Sequence, residues 1–354
     1  MRIAISGWFS GQPVGSGQYT DRLVAALRAN AGSGDQVAVV APGGHGWPAK
    51  LAFEQVVFPR AARDADVAHV PYWAPPLRPT APTVVTVHDL IPLVLPEYRA
   101  RAAVRLYTAL AARASSRAAA ILADSEHTAA DVRRRLDADP SCVRVVPLGV
   151  DARFRPLEGG VARSALAGFG LPERYGLYVG GFDVRKDLAT LFAAWRRVFA
   201  ATGVPLVVAG ALPRPDDQLS PHPAELARTA GLPEAGLRLV GPVADDTLPG
   251  LYAGAAVFAY PSRYEGFGLP PLEALACGVP VVAADATSLP EVVGDAGLLV
   301  APGEPEAWAD ALCAVLEDAA LASRLREAGP RRAAGFTWAR TAAATRAVYV
   351  EVAG

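Results

Sequence analysis

Short apolar runs alternate with longer amphipathic stretches along the whole chain. In the first half, the runs that predict β-strands lie at residues 2–6, 36–41, 67–70, 83–88, 119–124 and 143–149. In the second half, they lie at residues 176–181, 205–210, 237–241, 257–261, 279–285 and 297–302. Several runs lack polar alternation, which is typical of strands covered by helices on both faces. Strand–helix alternation predicts parallel sheets, and two series of six strands predict two of them.

The amphipathic stretches between the runs predict helices. Four of these helices are predicted at residues 19–30, 96–119, 126–137 and 337–352. The third of them follows Ser125, whose side chain suits a helix N-terminus. The chain is therefore predicted to belong to the α/β class throughout.

Length and composition agree with this organisation and exclude several classes of protein. The chain has 354 residues, of which 52% are hydrophobic, so two ordinary domain cores are expected rather than disorder. Its three cysteines stand far apart, which excludes a disulfide framework or a cysteine-based zinc cluster and favours a reducing compartment. Because the sequence shows neither a signal-peptide core nor an apolar stretch of membrane-spanning length, it predicts a soluble, cytoplasmic protein.

The predicted domain boundary lies within residues 151–170, where glycine, proline and charged residues interrupt the periodicity. We assign residues 1–157 to a first domain and residues 158–336 to a second. The first 157 residues hold 18 basic and 13 acidic side chains, whereas the remainder holds 16 basic and 22 acidic ones. A cationic first half suggests an acidic acceptor or a membrane surface as its partner.

A glycine-rich turn follows the first predicted strand. Gly15 and Gly17 precede the predicted helix start at Tyr19, and glycines there admit a ligand close to backbone amides that attract anions. The dinucleotide-binding pattern Gly-x-Gly-x-x-Gly is not met, because residue 20 is threonine. A purely steric role for the glycines is the alternative.

Two further strand ends carry charged or titratable side chains. His88 can donate to a sugar hydroxyl or move a proton, or it can simply be capped by Asp89. Arg185 and Lys186 suit a diphosphate, because arginine binds oxygens bidentately and lysine adds a point charge. The alternative is that both side chains are simply solvated, although the partial positive charge at a helix start disfavours cations there. Lysine is used only twice against 32 arginines, here and at Lys50, which lies in no motif.

The segment RYEGFGLPPLEALACG at residues 263–278 combines a glycine-rich turn with two glutamates, Glu265 and Glu273. Carboxylates in such a turn can accept hydrogen bonds from sugar hydroxyls, while backbone amides face a phosphate. The amides in question belong to Gly266, Phe267, Gly268 and Leu269. The Pro-Pro pair that follows suits the first turn of a helix, where a glutamate is often only a partner of the helix dipole.

These segments together resemble family 4 of the retaining glycosyltransferases, which have the GT-B fold. The resemblance rests on YEGFGLPPLEALACGVPVVAAD with SLPEVVGDAGLLVAPG, on GSGQYT, on VHDLIP and on YVGGFDVRKDL. It covers nearly the whole chain, with the segments in the family's order. It implies two Rossmann-like, doubly wound domains that face a central cleft, with a terminal helix at 337–354 crossing back to the first domain.

The resemblance also implies a role for each matched residue. Glu265 would bind the donor sugar and Glu273 the ribose of the nucleotide, while His88 would contact the hexose from the first domain. The implied catalytic residues are His88, Glu265, Arg185 and Lys186. The implied donor-binding residues are Gly15, Gly17, Arg185, Lys186, Gly266, Phe267, Gly268, Leu269 and Glu273. The chain departs from the family at Gln18 and Asp187, where arginine and asparagine are more usual.

No metal and no cofactor is expected besides the nucleotide diphosphate sugar as co-substrate. Arg185 and Lys186 would supply the positive charge that stabilises the leaving group. The Asp-x-Asp spellings at 64–66 and 137–139 precede a strand and end a helix, so we interpret both as surface charge. A hydrolase is a poor fit, because no convincing nucleophile stands opposite an acid.

The sequence therefore predicts a retaining hexosyltransferase that uses a nucleotide diphosphate sugar and a hydroxyl of a glycan, lipid-linked or natural-product acceptor. Relatives with an HDLIP segment place GDP-mannose first among the donors, ahead of UDP- and dTDP-sugars. A two-lobed sugar-binding or sensor protein and a GT-B nucleotide-sugar epimerase are the alternatives.

The predicted partners are the donor and an unidentified acceptor, with no nucleic acid. The stretch 96–119 carries five arginines and could make a peripheral contact with the inner face of a membrane. Its apolar residues are mostly alanine, so a solvated face is the alternative.

Overall fold

The computed structural model describes residues 1–12, 14–30, 34–99, 101–157, 169–214 and 217–354, and it divides into two compact units. The first unit comprises Met1–Gly149 and Phe336–Gly354, and the second comprises Val150–Gly335. Residues 150–157, which the sequence assigns to the first domain, thus belong to the second. Phe154 explains the difference, because its ring packs edge-on against Tyr252 of the second unit at 5.8 Å between centroids.

The first unit is built on a parallel six-stranded sheet with the order β2-β1-β3-β4-β5-β6. Its strands are β1 Arg2–Ser6, β2 Gln36–Val40, β3 Val67–Val70, β4 Thr83–Val87, β5 Ala120–Ala123 and β6 Val143–Val145. Its α-helices are α1 Gly15–Ala29, α2 Trp47–Ala52, α3 Phe58–Ala61, α4 Ile91–Val94, α5 Ala102–Ser115, α6 Glu126–Arg135 and the terminal helix Trp338–Ala353. A π-helix, Phe53–Val57, joins α2 to α3, and 3₁₀ turns lie at Pro96–Arg99 and Pro140–Cys142.

The second unit repeats this plan with the order β12-β11-β10-β7-β8-β9, again parallel. Its strands are β7 Gly176–Val179, β8 Leu206–Ala209, β9 Leu237–Gly241, β10 Val257–Tyr260, β11 Val281–Ala284 and β12 Leu298–Val300. Its α-helices are α7 Leu188–Thr202, α8 Pro223–Thr229, α9 Leu248–Ala253, α10 Leu269–Ala276, α11 Leu289–Val293, α12 Pro305–Glu317 and α13 Ala319–Ala333. Its 3₁₀ turns are Val184–Lys186, Glu234–Gly236 and Gly294–Ala296.

All twelve predicted strands are confirmed, each within a few residues of its predicted ends. Six of them are buried along their whole length, as expected for strands that helices cover on both faces, namely β3, β4, β5, β8, β10 and β11. The helices differ more. Helix α1 begins at Gly15 rather than Tyr19, and the stretch 96–119 divides into a 3₁₀ turn and α5, because Arg101 has an extended backbone. None of the helices in the described part of the chain has the length and apolarity needed to cross a membrane.

The strand order of the second unit marks where a ligand is expected. Strands β7 and β10 are neighbours, and the chain continues from them in opposite directions across the sheet. Ligands of open parallel sheets bind at such a switch point, beyond the carboxyl ends of the strands. The segments that follow β7 and β10 hold Arg185, Lys186 and Glu265.

Candidate active site

The segment after β7 turns tightly and buries a lysine. The Lys186 N–H donates to the carbonyl of Asp183 at 2.9 Å, which closes the 3₁₀ turn Val184–Lys186. Asp187 then adopts a left-handed backbone with φ of 51° and starts α7. The side chain of Lys186 is nearly fully buried, so its ammonium is committed to partners inside the unit.

Arg185 and Lys186 meet Glu265, although 79 residues separate Lys186 from it in the chain. Oε1 of Glu265 accepts from Lys186 Nζ at 2.5 Å and lies 2.9 Å from Arg185 Nη1. The Tyr260 hydroxyl donates to the same oxygen at 3.0 Å and accepts from Lys186 Nζ at 2.7 Å. Asp183 lies 3.0 Å from Nε of Arg185. The structure thus joins three of the four predicted catalytic residues into one charged cluster.

The neighbouring cations keep the carboxylate of Glu265 ionised. Burial alone would raise the pKa of Glu265, but Lys186 and Arg185 lower it to about 2. Burial also lowers the pKa of Lys186 from its ordinary value, while the neighbouring Glu265 opposes that change. Burial raises the pKa of Tyr260 well above its ordinary value, so its hydroxyl remains a donor. A diphosphate that reached Arg185 and Lys186 would exchange carboxylate contacts for phosphate contacts of the same geometry.

A second ion pair holds the two segments together. Arg263 donates two hydrogen bonds to the carboxylate of Asp187, from Nε at 2.8 Å and from Nη2 at 2.9 Å. The N–H of Arg263 also donates to the carbonyl of Arg185 at 2.8 Å. A carboxylate at residue 187 accepts both guanidinium bonds, which an amide side chain does not. This pairing gives a physical reason for Asp187, where the sequence departs from the family pattern.

The turn that carries Glu265 is fastened by the segment after β11. Thr287 Oγ1 accepts from the N–H of Glu265 at 3.0 Å, and Ser288 Oγ donates to the carbonyls of Glu265 and Phe267 at 3.0 and 2.7 Å. Thr287 has φ of 53°, which is a strained conformation for a β-branched residue. Such strain persists only where the surroundings enforce it, and it clusters at functional sites.

Gly268 sets the start of α10. Its φ is 117°, and an added Cβ would lie 2.8 Å from the side chain of Leu289, so the position requires glycine. Pro270 and Pro271 have no N–H. The amides that this helix start can offer an anion are therefore those of Gly268 and Leu269.

Glu273, on α10, has a different environment from Glu265. Its Oε2 accepts from the Tyr252 hydroxyl at 2.9 Å. Burial raises the pKa of Glu273 to about 7, because the Tyr252 bond and the nearby charge of Arg153 only partly compensate. The protein thus maintains a poorly compensated carboxylate at this position, and carboxylates with such perturbed pKa values cluster at functional sites.

Replacing Glu273 with glutamine is expected to stabilise the folded protein near pH 8 but not near pH 4. The folded protein holds the Glu273 proton up to about pH 7, whereas the unfolded chain loses it near the ordinary value, so stability from this group is present at low pH and lost as pH approaches 7. Chemical denaturation near pH 8 should show a gain of about 1–3 kcal/mol for the variant. No gain should appear near pH 4, and an equal gain at both pH values would refute this origin.

His88 lies in the first unit, directly after β4. Its Nδ1 lies 2.7 Å from Oδ2 of Asp124, its Nε2 lies 3.2 Å from the carbonyl oxygen of Pro71, and its ring packs edge-on against Tyr19 at 4.6 Å. An ionised carboxylate and a carbonyl can only accept, so this arrangement suits a ring that has protons on both nitrogens. Burial acts to lower the pKa of His88, but Asp124 raises it overall. The contact with Asp124 thus favours the protonated form of His88.

The predicted glycine-rich loop is corrected by the structure. Gly15 and Gly17 lie in the first turn of α1 rather than before it. A Cβ at Gly17 would overlap the carbonyl oxygens of Phe9 and Gln12, which supports the steric alternative for that glycine. Gly15 is exposed with no close neighbour, and its role stays a prediction.

The acidic pairs and the possible metal ligands can also be placed. Both Asp-x-Asp spellings lie at the surface, where Asp66 pairs with Arg2 and Asp139 caps the turn Pro140–Cys142. Among the residues that the structure describes, no group of three or more histidine, cysteine, aspartate or glutamate side chains is placed to hold a metal ion. Metal independence stays a prediction.

Two family models match consecutive parts of the chain. The model Glycosyltransferase Family 4 matches residues 46–154, and the model Glycosyl transferases group 1 matches residues 173–318. O-antigen chain mannosyltransferase B of Escherichia coli is 33% identical over 258 residues, which are 72% of this chain and 66% of that protein. The chain belongs to the family 4 glycosyltransferases.

Two further comparisons concern a second named relative and a solved structure. D-inositol 3-phosphate glycosyltransferase of Salinispora arenicola is 38% identical over 244 residues, which are 65% of this chain and 54% of that protein. The matches therefore span about half to two thirds of the curated relatives. The structure of HepE from Anabaena, solved with UDP and glucose, has a TM-score of 0.78 at 18% identity over 98% of both chains. This likeness confirms the predicted GT-B fold.

Three residues that contact the predicted site residues are not predicted from the sequence. Tyr260 is the last residue of β10 and reads as part of an apolar run, yet its hydroxyl bridges Lys186 and Glu265. Asp124 directly follows β5, and an acidic residue at the carboxyl end of a buried strand is a sequence signal for a site residue. Arg263 has no sequence signal, because its partner Asp187 is 76 residues away.

Proposed function

We propose that this family 4 glycosyltransferase moves a hexose from a nucleotide diphosphate sugar to a hydroxyl acceptor with retention of configuration. The observation that carries the proposal is the convergence of Arg185 and Lys186 on Glu265 at the switch point between β7 and β10. Two cations there suit a diphosphate, and a carboxylate beside them suits the hydroxyls of the attached sugar. HepE, which shares the fold, was solved with UDP and glucose.

Each residue of the second unit has a part in this proposal. Lys186 and Arg185 bind the diphosphate and stabilise the negative charge that develops as it leaves. Glu265 orients the donor sugar, and Glu273 accepts from the ribose hydroxyls. The amides of Gly268 and Leu269 bind phosphate or sugar oxygens. The cations Arg185 and Lys186 take the part that a divalent ion plays in other transferases.

Retention follows in this proposal from a reaction on one face of the sugar. The leaving phosphate accepts the proton of the acceptor hydroxyl, so that the protein needs no separate base. His88 agrees with this assignment, because its two ring N–H groups leave it no lone pair with which to act as a base. To donate to a sugar hydroxyl, the Nε2–H of His88 would exchange the carbonyl of Pro71 for that hydroxyl.

The names of the relatives and the ligand of HepE bear on the choice of donor and acceptor. GDP-mannose is our first choice of donor, and one Escherichia coli relative is named as a mannosyltransferase. UDP- and dTDP-sugars follow, since HepE binds UDP. The named relatives act on an O-antigen chain and on D-inositol 3-phosphate, which are different hydroxyl compounds. Because these names point to no single acceptor class, the acceptor class has to be inferred from the residues of the first unit.

A donor panel tests the proposed reaction. The whole chain is incubated with GDP-mannose, UDP-glucose and dTDP-glucose, each with and without a mixture of hydroxyl acceptors, and the products are separated and their anomeric configuration is determined by NMR. We expect one donor to release its nucleoside diphosphate, faster with acceptor, and to give a product of unchanged configuration. A new epimer of the nucleotide sugar, or sugar binding without any release, would support one of the two alternatives instead.

A further inference from the structure

A row of polar side chains lies in the core of the first unit, next to His88. Thr86 is on β4, two residues before His88, and residues two apart along a strand face the same side of a sheet. His69, on the neighbouring strand β3, lies on that side too, because its Nε2 is 2.8 Å from Oγ1 of Thr86. The side chain of His88 is 20% exposed, whereas His69 and Thr86 are fully buried. The proposed reaction uses His88 alone and assigns no part to the other two.

Two helices of the unit join this row by hydrogen bonds. On α1, the Tyr19 hydroxyl lies 3.0 Å from Oγ1 of Thr86. On the terminal helix, the Tyr349 hydroxyl lies 2.5 Å from Nδ1 of His69. A continuous series of hydrogen bonds therefore crosses the unit from the terminal helix to α1. Its members, none of them more than 2% exposed, form the buried network: Tyr349, His69, Thr86 and Tyr19.

The buried network ends at the ring of His88. The Tyr19 ring packs edge-on against the His88 ring, with 4.6 Å between the two centroids. Trp338, the first residue of the terminal helix, lies 6.0 Å from the Tyr19 ring between centroids. The terminal helix thus fixes the Tyr19 ring twice, directly through Trp338 and at a distance through Tyr349. The position of Tyr19 in turn limits how the His88 ring can turn.

His88 depends on this support when it donates to a sugar. Its ring nitrogens contact Asp124 at 2.7 Å and the carbonyl of Pro71 at 3.2 Å. A sugar hydroxyl that accepts from Nε2 takes the place of the Pro71 carbonyl. The ring is then oriented by Asp124 at one nitrogen and by its contact with the Tyr19 ring. Orientation matters here, because a small misplacement of a group at the reacting centre lowers the rate.

The buried network is uncharged, which suits its place beside a protonated imidazole. Burial lowers the pKa of His69 to about 3, and the charge of His88 acts in the same direction. Burial raises the pKa of Tyr349 well above its ordinary value, so its hydroxyl keeps its proton. A neutral imidazole has one donor and one acceptor nitrogen, so the bond at Nδ1 of His69 fixes what Nε2 offers to Thr86. A change at Tyr349 is therefore transmitted to Thr86.

A polar network in a core carries a cost that an apolar core does not. Apolar side chains would fill the same space without the burial of polar groups. A fully hydrogen-bonded network instead rigidifies its surroundings and fixes one arrangement of them. The alternative is that the network only stabilises the fold, in which case the loss of one hydroxyl leaves the His88 ring unchanged.

We propose that the buried network positions the His88 ring for transfer, with Tyr19 as the positioning residue in contact with it and Tyr349 as the anchor on the terminal helix. The four residues act through His88 and not on the substrate. That His88 acts in transfer rests on the proposed function, whereas the hold of the network on the His88 ring does not. The two can therefore fail separately.

NMR of the whole protein, labelled with ¹³C in its histidine rings, tests the hold on His88 without any nucleotide sugar. The chain has five histidines, and the signal that disappears in His88→Gln is that of His88. We expect Tyr349→Phe, which removes one hydroxyl at the far end of the network, to shift this signal. The matched control is Thr341→Val, which removes a buried hydroxyl of the same helix that donates to the Pro147 carbonyl at 2.8 Å. The control should leave the His88 signal in place, and an unmoved signal in folded Tyr349→Phe overturns the proposal.

Transfer by a pair of variants at Thr86 tests the consequence for the reaction. Thr86→Val removes the hydroxyl that links Tyr19 to His69, and Thr86→Ser keeps it. We expect kcat to fall about tenfold in Thr86→Val while the KM of the donor changes less than about twofold, because the diphosphate contacts lie in the second unit. Thr86→Ser should stay near wild type, and equal kcat values for the two variants overturn the proposal. Should Thr86→Val fail to fold, Tyr349→Phe takes its place.

The double variant Tyr19→Phe, Tyr349→Phe tests whether the two ends act through one network. If they do, its kcat matches that of the more damaging single variant within about twofold. Independent effects would multiply, and that result would also overturn the proposal. A protein whose His88 signal responds to Tyr349→Phe but which transfers sugar from no donor would refute the proposed function alone.

Discussion

Replacing Lys186 with alanine is expected to lower hexose transfer about a hundred- to a thousandfold. The ammonium is buried beside Tyr260 and Glu265, so no surface cation can substitute for it. Its loss removes a positive charge from the place where the leaving diphosphate becomes more negative, and in a site shielded from water that interaction is strong. The measurement is kcat/KM for the donor that the panel identifies.

The control for this variant is Arg197→Ala, which removes an exposed cation from α7 that pairs only loosely with Glu306 and Asp310. It should leave kcat/KM unchanged within a factor of about two. Thermal unfolding of Lys186→Ala shows whether the fold survives, as we expect because Arg185 still pairs with Glu265. A folded variant with wild-type turnover would show that the diphosphate lies elsewhere.

Replacing Glu265 with glutamine should lower transfer about a hundredfold or more and also destabilise the protein. Glutamine keeps the size of the side chain but removes the charge that orders Arg185 and Lys186. The pKa of Glu265 is about 2, so the ionised form stabilises the fold above the ordinary pKa, and this stabilisation is lost only as pH falls towards 2. At neutral pH, the variant should therefore unfold at lower temperature.

The contrast with Glu273→Gln makes this prediction specific. The two glutamates belong to one sequence motif, yet one has its pKa lowered by two cations and the other has it raised by burial. Near pH 8, we expect Glu265→Gln to lose stability and Glu273→Gln to gain it, whereas Glu306→Gln, on the surface, should do neither. If the first two variants shift stability in the same direction, the assigned environments are wrong.

The strands and the fold class follow from the sequence because buried parallel strands need apolar runs, and the turns between them need glycine and proline. The starts of helices have weaker sequence signals. Gly15 and Gly17 are typical of a loop, yet they form the first turn of α1. Gly17 is glycine because carbonyl oxygens of the preceding loop pack against it. Such packing has no local pattern in a sequence.

The candidate site follows in part for the same reason. Lys186 and Glu265 both follow strands, so their place at the carboxyl edge is predictable, but their contact depends on β7 and β10 being neighbours. No local sequence pattern predicts that Arg263 hydrogen-bonds to Asp187 or that His88 hydrogen-bonds to Asp124. Lys50 and Glu54 stand four residues apart, which is a local signal for an ion pair, but only the fold brings three aromatic rings around Lys50.

Calorimetric titration of nucleotides into the whole protein tests the central claim most directly, namely that Arg185 and Lys186 bind a diphosphate. UDP, GDP and dTDP are each compared with the corresponding monophosphate, in wild type and in Lys186→Ala. We predict saturable binding of at least one diphosphate, roughly tenfold or more weaker for its monophosphate and similarly weakened by the variant. Equal affinity for the diphosphate and the monophosphate, or undiminished diphosphate binding by Lys186→Ala, would contradict the account.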